Sequence, residues 1–174
     1  MANKTLENLT KEELLQIVDM YCKNWLAMDG VWFQSVEQKF GMEEAIFHDE
    51  NAWRVFTVVE ASRIKDFLSL PDRSGIEGLK QALKFRMYAN INEDEIIVEG
   101  NTLTYRTLDC RVQNARKRKG MPFHPCKSVG IIEYTLFAKT IDDRFECRAV
   151  SCFPEVTDDS CNCSWQFTLQ SDER

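Results

Sequence analysis

Glu95-Ile-Ile-Val-Glu-Gly-Asn-Thr-Leu-Thr-Tyr-Arg-Thr107 is the stretch at which the chain changes its period. On either side of Gly100-Asn101 the apolar residues alternate every second position, and Gly-Asn suits a two-residue hairpin turn. The predicted register sets Val98 opposite Leu103 and Ile96 opposite Tyr105 on one face. It sets Glu95 opposite Arg106 on the other, as a cross-strand ion pair.

Upstream of this hairpin the spacing is helical. Thr10-Lys-Glu-Glu13 is a capping box, and Leu14, Leu15, Val18, Tyr21, Cys22 and Trp25 recur every three or four residues until Asp29-Gly30, the predicted stop. A second short helix carries Val31, Trp32, Val36 and Phe40 to Gly41. A long one then runs from Ala45 through Trp53, Phe56, Val59 and Ile64 to Phe67, before Pro71. Ser74-Gly-Ile-Glu77 reads as another capping box, opening a helix with Leu79, Leu83 and Met87 on one side.

Downstream, Asp109 is the expected cap of a helix through Arg111, Val112 and Arg116, closing on Arg116-Lys-Arg-Lys119, where cations suit a helix C-terminus. A loop with two prolines follows. From Ser128 to about Ile141 apolar residues cover nearly the whole circumference, as in a helix buried on several sides. Strands at about Arg144 to Cys152 and Asn162 to Leu169 close the chain. Four helices, a hairpin, two helices and a hairpin predict an α+β fold: an N-terminal helical layer packed on a small antiparallel sheet built from two hairpins, with two helices between them. One domain is expected over 1–174, with 1–91 helical and 92–174 carrying the sheet and most cysteines.

A chain of 174 residues buries roughly 70% of its unfolded surface without covalent help. Its start, MANKTLENLTKEELL, has neither the apolar core of a signal peptide nor a run approaching the ~20 residues of a membrane span, so a cytoplasmic protein with reduced thiols is expected. With 22 basic and 28 acidic residues, the net charge of −6 gives no global attraction to nucleic acid or anionic lipid. The run at 116–119 lacks interleaved aromatics, so nucleic acid is not an expected partner. The Trp-rich helices offer a face for a homodimer.

Six of the seven cysteines lie at 110, 126, 147, 152, 161 and 163. Thiols gathered in one segment of a reduced protein point to metal ligands or a reactive group. Period-two alternation puts Cys163, Trp165, Phe167 and Leu169 on one face of the last strand and Phe145, Cys147 and Ala149 on one face of its predecessor, so with both apolar faces in one core Cys147 and Cys163 share a side of the sheet. Cys152 has the opposite parity, near a turn. Thiolates of Cys126, Cys147, Cys152 and Cys163, with Cys161 as a substitute, are the candidate ligands of a Zn or Fe ion. Packing as small hydrophobes is the alternative, above all for Cys22. Cys126 precedes a helix N-terminus beside Lys127, which suits a nucleophilic thiolate, with His124 as a candidate base. Arg111, Gln113 and Arg116 are candidate binders of a ligand carboxylate. Two histidines and no Glu-x-x-His exclude the paired motif of a di-iron carboxylate bundle. Asp29, Glu37, Glu60 and Arg63 are charges within apolar helical stretches, read as surface groups before pocket groups.

The stretch Cys110-Arg-Val-Gln-Asn-Ala-Arg-Lys-Arg-Lys-Gly120, with Pro125-Cys-Lys-Ser-Val-Gly130, Glu133-Tyr134, Cys147 and Cys152, and Cys163-Ser-Trp-Gln-Phe167, resembles an uncharacterised family of cytosolic proteins from anaerobic bacteria and archaea. Asp29-Gly-Val-Trp32, Glu37, Trp53 and Glu60-Ala61 extend the likeness over nearly the entire chain. The resemblance implies no activity. More distantly the chain is similar to L-2-amino-thiazoline-4-carboxylic acid hydrolase-like proteins and to vinyl-reductase-type domains that bind small hydrophobic molecules. Here His124-Pro-Cys stands where the resemblance implies an aromatic before Pro-Cys, and Phe153-Pro-Glu where it implies Pro-Pro-Asp, so His124 is not carried over as a family catalytic group.

Two functions are expected from these readings. One is a small-molecule binding or sensing protein with a thiolate Zn or Fe site in its C-terminal part. The other is a hydrolase of a C–N or C–S bond in a small heterocycle, acting through Cys126 or a metal-bound water. A metal-free structural protein is the third.

Overall fold

The computed structural model describes residues 5–171. Three helices come first, α1 (Lys11–Phe40), α2 (Met42–Phe67) and α3 (Gly75–Leu83), and a 3-10 turn at Met87–Asn90 leads into the sheet. The hairpin β1 (Glu93–Glu99) and β2 (Thr102–Asp109) is followed by α4 (Arg111–Arg118) and α5 (Lys127–Ile141), then by β3 (Phe145–Cys152) and β4 (Cys163–Leu169). The fold is α+β, as the change of period predicts.

The first hairpin has the predicted register, with Val98 opposite Leu103, Ile96 opposite Tyr105 and Glu95 opposite Arg106, whose guanidinium donates to the Glu95 carboxylate at 2.5 Å. The second hairpin joins it, since β4 pairs with β2, and the order β1-β2-β4-β3 makes one antiparallel sheet. One face of that sheet presents Leu103, Tyr105, Phe145, Trp165 and Phe167, each at most 2% exposed, to Phe137, Ala138 and Ile141 of α5. On its other side α5 packs against α2, where the Thr57 hydroxyl donates to the Glu133 carbonyl at 3.0 Å. Buried on both sides, α5 is apolar nearly all round.

Three local expectations change in the folded chain. The capping box at Thr10 forms, with the Glu13 N–H on Thr10 Oγ1 at 3.2 Å and the Thr10 N–H on Glu13 Oε2 at 2.8 Å, but the helix it opens runs through Asp29-Gly30 without a break. A glycine costs about 1 kcal/mol inside a helix, less than the packing of the turns on either side contributes. At the second predicted box Ser74 Oγ donates to the Pro71 carbonyl, and the Gly75 N–H that begins α3 is taken by Asp142 Oδ2 from the far end of α5 at 2.9 Å. Arg144 grips the same carboxylate. The two contacts hold Asp142 at a pKa of about 2 although burial alone opposes ionisation. At α4, Asp109 accepts from the Asn114 side chain instead of capping, and Asn92 Oδ1 takes the Arg111 N–H at 3.1 Å.

The parity of Cys152 also changes. A bulge between Ala149 and Ser151 inserts one residue into β3, which moves Cys152 to the face of Cys147 and Ala149 and places it directly opposite Cys163. No helix among the described residues is long and apolar enough to cross a membrane.

Candidate functional site

Between α1, α2, α4 and the core face of the sheet lies a pocket of about 370 Å³. Trp53 of α2 stacks on Tyr88 at 5.7 Å on one side, and Tyr134 of α5 stacks on Trp165 of β4 at 4.8 Å on the other. Most of the lining is therefore aromatic or aliphatic. Polar groups are interspersed with it: Asp29 of α1, Asp49 of α2, His124 and Cys126 of the loop before α5, Glu133 of α5, and Arg111 and Arg116 of α4, while Lys23, Gln34, Arg118 and Lys119 also line the pocket.

Gln113 builds the loop that carries His124 and Cys126. Two prolines deny Met121–Cys126 much backbone pairing of its own, and the Gln113 amide replaces it, donating to the His124 carbonyl at 2.8 Å and accepting its N–H at 2.9 Å. The same amide nitrogen lies 3.2 Å from Cys126 Sγ. Cys126 is the residue before α5, so its sulfur sits at a helix end whose first N–H groups have no intrahelical partner.

His124 bridges two elements. Its Nδ1 is 3.2 Å from Cys126 Sγ and its Nε2 3.3 Å from Asp49 Oδ2, while Phe33 of α1 packs on the ring at 4.7 Å. The imidazole is 7% exposed. A carboxylate can only accept, so Asp49 selects the tautomer with hydrogen on Nε2 and leaves the Nδ1 lone pair facing the thiol. The three residues form a line, carboxylate to imidazole to sulfur, which is the arrangement that activates a nucleophile.

Asp29 is the second carboxylate beside this line, with no hydrogen-bond partner among the described residues. Burial, then the nearby Asp49 charge, pushes its pKa up to about 6, against the opposing pull of His124. The folded value exceeds the unfolded one, so this acid weakens the fold as pH rises from about 4 to about 6. Asp29→Asn should therefore stabilise the protein on the order of 1–2 kcal/mol at neutral pH and by nothing below about pH 4, in thermal melts at the two pH values. Equal stability of variant and parent at neutral pH would contradict the burial of that charge.

The two arginines of α4 differ. Arg116, 2% exposed, donates from Nη1 and Nη2 to both oxygens of Glu37 at 2.8 and 2.7 Å and from Nε to the Pro122 carbonyl. Its guanidinium is fully engaged in pinning α4 to α1. Arg111 lines the pocket with a guanidinium that has no partner among the described residues. Gln113 holds the loop. Of the candidate binders of a carboxylate, Arg111 alone keeps its cation free for one.

Among the candidate thiols, Cys126, Cys152 and Cys163 come together. Cys152 lies against both of the others, through the bulge on one side and the Lys127 N–H to Phe153 carbonyl bond of 3.1 Å on the other. Contact with Cys126 first, then burial, raises the Cys152 pKa, and contact with Cys152 raises that of Cys163. Burial raises Cys110 to about 11 and Cys147 to about 12. Cys147 pairs with Phe167, two positions along the strand from Trp165 and farther still from Cys163, and Cys161 turns to Asp158 and Arg106. Among the described residues no group of three or more His, Cys, Asp or Glu side chains is gathered so as to hold a metal ion.

Several site residues carried no usable signal in the sequence. Asp49 is one acid among several on an exposed-looking helix, and Glu133 hides in an apolar run. Glu37 and Glu60, read as surface charges, each take a buried arginine, Arg116 and Arg86. Only the His124-Pro-Cys126 spacing hinted at the line.

The family model described as "Family of unknown function (DUF6125)" matches residues 7–169. No curated protein and no solved structure matches the chain.

Proposed function

Because the chain belongs to the family of unknown function DUF6125, whose description attaches no activity, we propose from the geometry that it is a hydrolase of a C–N or C–S bond in a small heterocyclic molecule, with Cys126 as nucleophile. The observation that carries this reading is the Asp49–His124–Cys126 line in the wall of a largely apolar pocket. His124 Nδ1 takes the thiol proton as the sulfur attacks the electrophilic ring carbon, and a C–S bond to the protein forms. The ring C–N or C–S bond breaks, and its leaving atom receives the proton back from the imidazolium. Water, deprotonated by the same nitrogen, then attacks that carbon, the C–S bond to the protein breaks, and the imidazolium returns its proton to the Cys126 sulfur. Gln113 Nε2 donates to the sulfur while it carries charge, and the Arg111 cation holds a substrate carboxylate. The distant likeness to thiazoline-carboxylate hydrolase-like proteins agrees with this chemistry.

Iodoacetamide labelling followed by peptide mass spectrometry tests the relay. Cys126 should react first among the seven thiols, and His124→Gln or Asp49→Asn should slow it by about tenfold or more. Equal rates at all seven thiols, or no change in either variant, would reject the nucleophile.

A separate observation, the contact of Cys152 with Cys126 and with Cys163, leaves a second reading: a binding or sensing protein in which these thiolates would close further around a Zn or Fe ion, since as they stand they are not gathered to hold one. Elemental analysis of protein purified without oxygen decides it. Absence of metal, with a melt unchanged by chelator, ends that reading.

A further inference from the structure

One face of α1 is apolar and largely exposed. Leu14, Val18, Tyr21, Trp25, Met28 and Trp32 are spaced by four, three, four, three and four residues, the alternation of a coiled-coil seam. They are 38, 46, 59, 45, 67 and 54% exposed. The pocket takes a different stripe of the same helix, including Leu26, Gly30 and Phe33, so α1 carries two apolar stripes and the fold covers the second only in part. Trp25 leans on Phe56 of α2 at 5.0 Å and Trp32 on His48 at 6.1 Å, which orders the two largest side chains without hiding them.

The spacing is its own mirror image. Reversing the helix about Lys23 brings Leu14 onto Trp32, Val18 onto Met28 and Tyr21 onto Trp25. In an antiparallel coiled coil each layer joins the two kinds of seam position, and all three pairs do so. A twofold interface requires this reciprocity, that i meet j and j meet i. At the outer layers a smaller side chain faces a larger one, and the central layers are aromatic on aromatic. Taking about 150–250 Å² for each aromatic and somewhat less for the others, the exposed fractions amount to roughly 550 Å² per copy, or about 1,100 Å² for the two, just above the about 1,000 Å² that a specific interface should clear.

We propose that the protein is a homodimer, joined by antiparallel packing of α1 against α1 of a second copy along the seam from Leu14 to Trp32. The dimer supports α1 from outside where it forms one wall of the pocket, and each copy keeps its own complete site.

Sedimentation equilibrium of the full chain over about 1–100 µM reads this through mass action. The expected mass is twice the 20.3 kDa of one chain. Val18→Lys and Met28→Glu, both at exposed positions, should each give monomers with unchanged far-ultraviolet circular dichroism. Combined, V18K/M28E places Lys opposite Glu in the two layers next to the ends of the antiparallel seam and should restore the dimer, whereas a parallel seam would set like charges together. Monomeric parent protein throughout the range, dimers that persist in both single variants, or a double variant as monomeric as its parents would each overturn the proposal.

Discussion

Replacing Arg86 by methionine should cost about 3–5 kcal/mol, the range for breaking a buried ion pair from one side, and lower the melting temperature by roughly 10 °C. Arg86 is 1% exposed, with Nε 3.0 Å from Glu60 Oε2 and Nη2 2.5 Å from Glu133 Oε1. Its guanidinium lies 5.1 Å from the centre of the Tyr134 ring and 4.8 Å from that of Phe137. Methionine retains much of the packing, so the loss isolates the charge. Two carboxylates would remain in the interior with no cation.

The pH dependence identifies the cause. Burial raises Glu133 to about 6 even with Arg86 beside it, against an ordinary 4.5, so the cost of ionising it grows as pH rises from about 4.5 toward the folded value. Without Arg86 that value climbs further. The deficit of the variant should therefore be larger at pH 8 than at pH 5, and Arg86→Met/Glu133→Gln should recover part of it. A deficit below about 1 kcal/mol, or one that does not change with pH, would mean that the pair is neutral to stability.

Gly130→Ala is the second large effect expected. A Cβ at this position would stand 2.5 Å from Trp165 Cζ2 and Cη2, and Trp165 is 1% exposed between Gly130 and its neighbours. The ring cannot retreat without moving Tyr134, which stacks on it, and both rings line the pocket. Overpacking of this kind costs about 1–3 kcal/mol, and the ~1 kcal/mol that alanine gains over glycine in a helix offsets part of it. The net loss should be about 1 kcal/mol, and up to about 2, by urea titration, with a changed near-ultraviolet tryptophan signal. Gly30 provides the contrast. There a Cβ meets only Gln34 Nε2, at an ordinary 3.7 Å, so Gly30→Ala should be neutral or stabilising by up to about 1 kcal/mol. If both variants behave alike, the contact with Trp165 is not what keeps position 130 a glycine.

These two positions show where reading by sequence ends. Gly130 and Glu133 lie in a run of apolar residues that announces a buried helix, and α5 is that helix. Nothing in the run says that Gly130 admits an indole from a strand 35 residues later or that Glu133 meets an arginine from before the sheet. The same holds for Gly30: at Asp29-Gly30 local propensity predicts a stop, and packing of the turns before and after it carries the helix through.

Period, capping and turn chemistry act between residues close in the chain, and they determined the hairpin register at Gly100-Asn101, the start of α1 at Thr10, the buried helix α5 and the α+β class. The folded chain alone decided the site. A bulge in β3 turned Cys152 toward Cys163, Gln113 shaped the loop that brings His124 onto Cys126, and α2 delivered Asp49 to the imidazole from 75 residues upstream. Hydrogen bonds and ion pairs of this kind depend on distance in space, and no local pattern encodes which distant segment arrives.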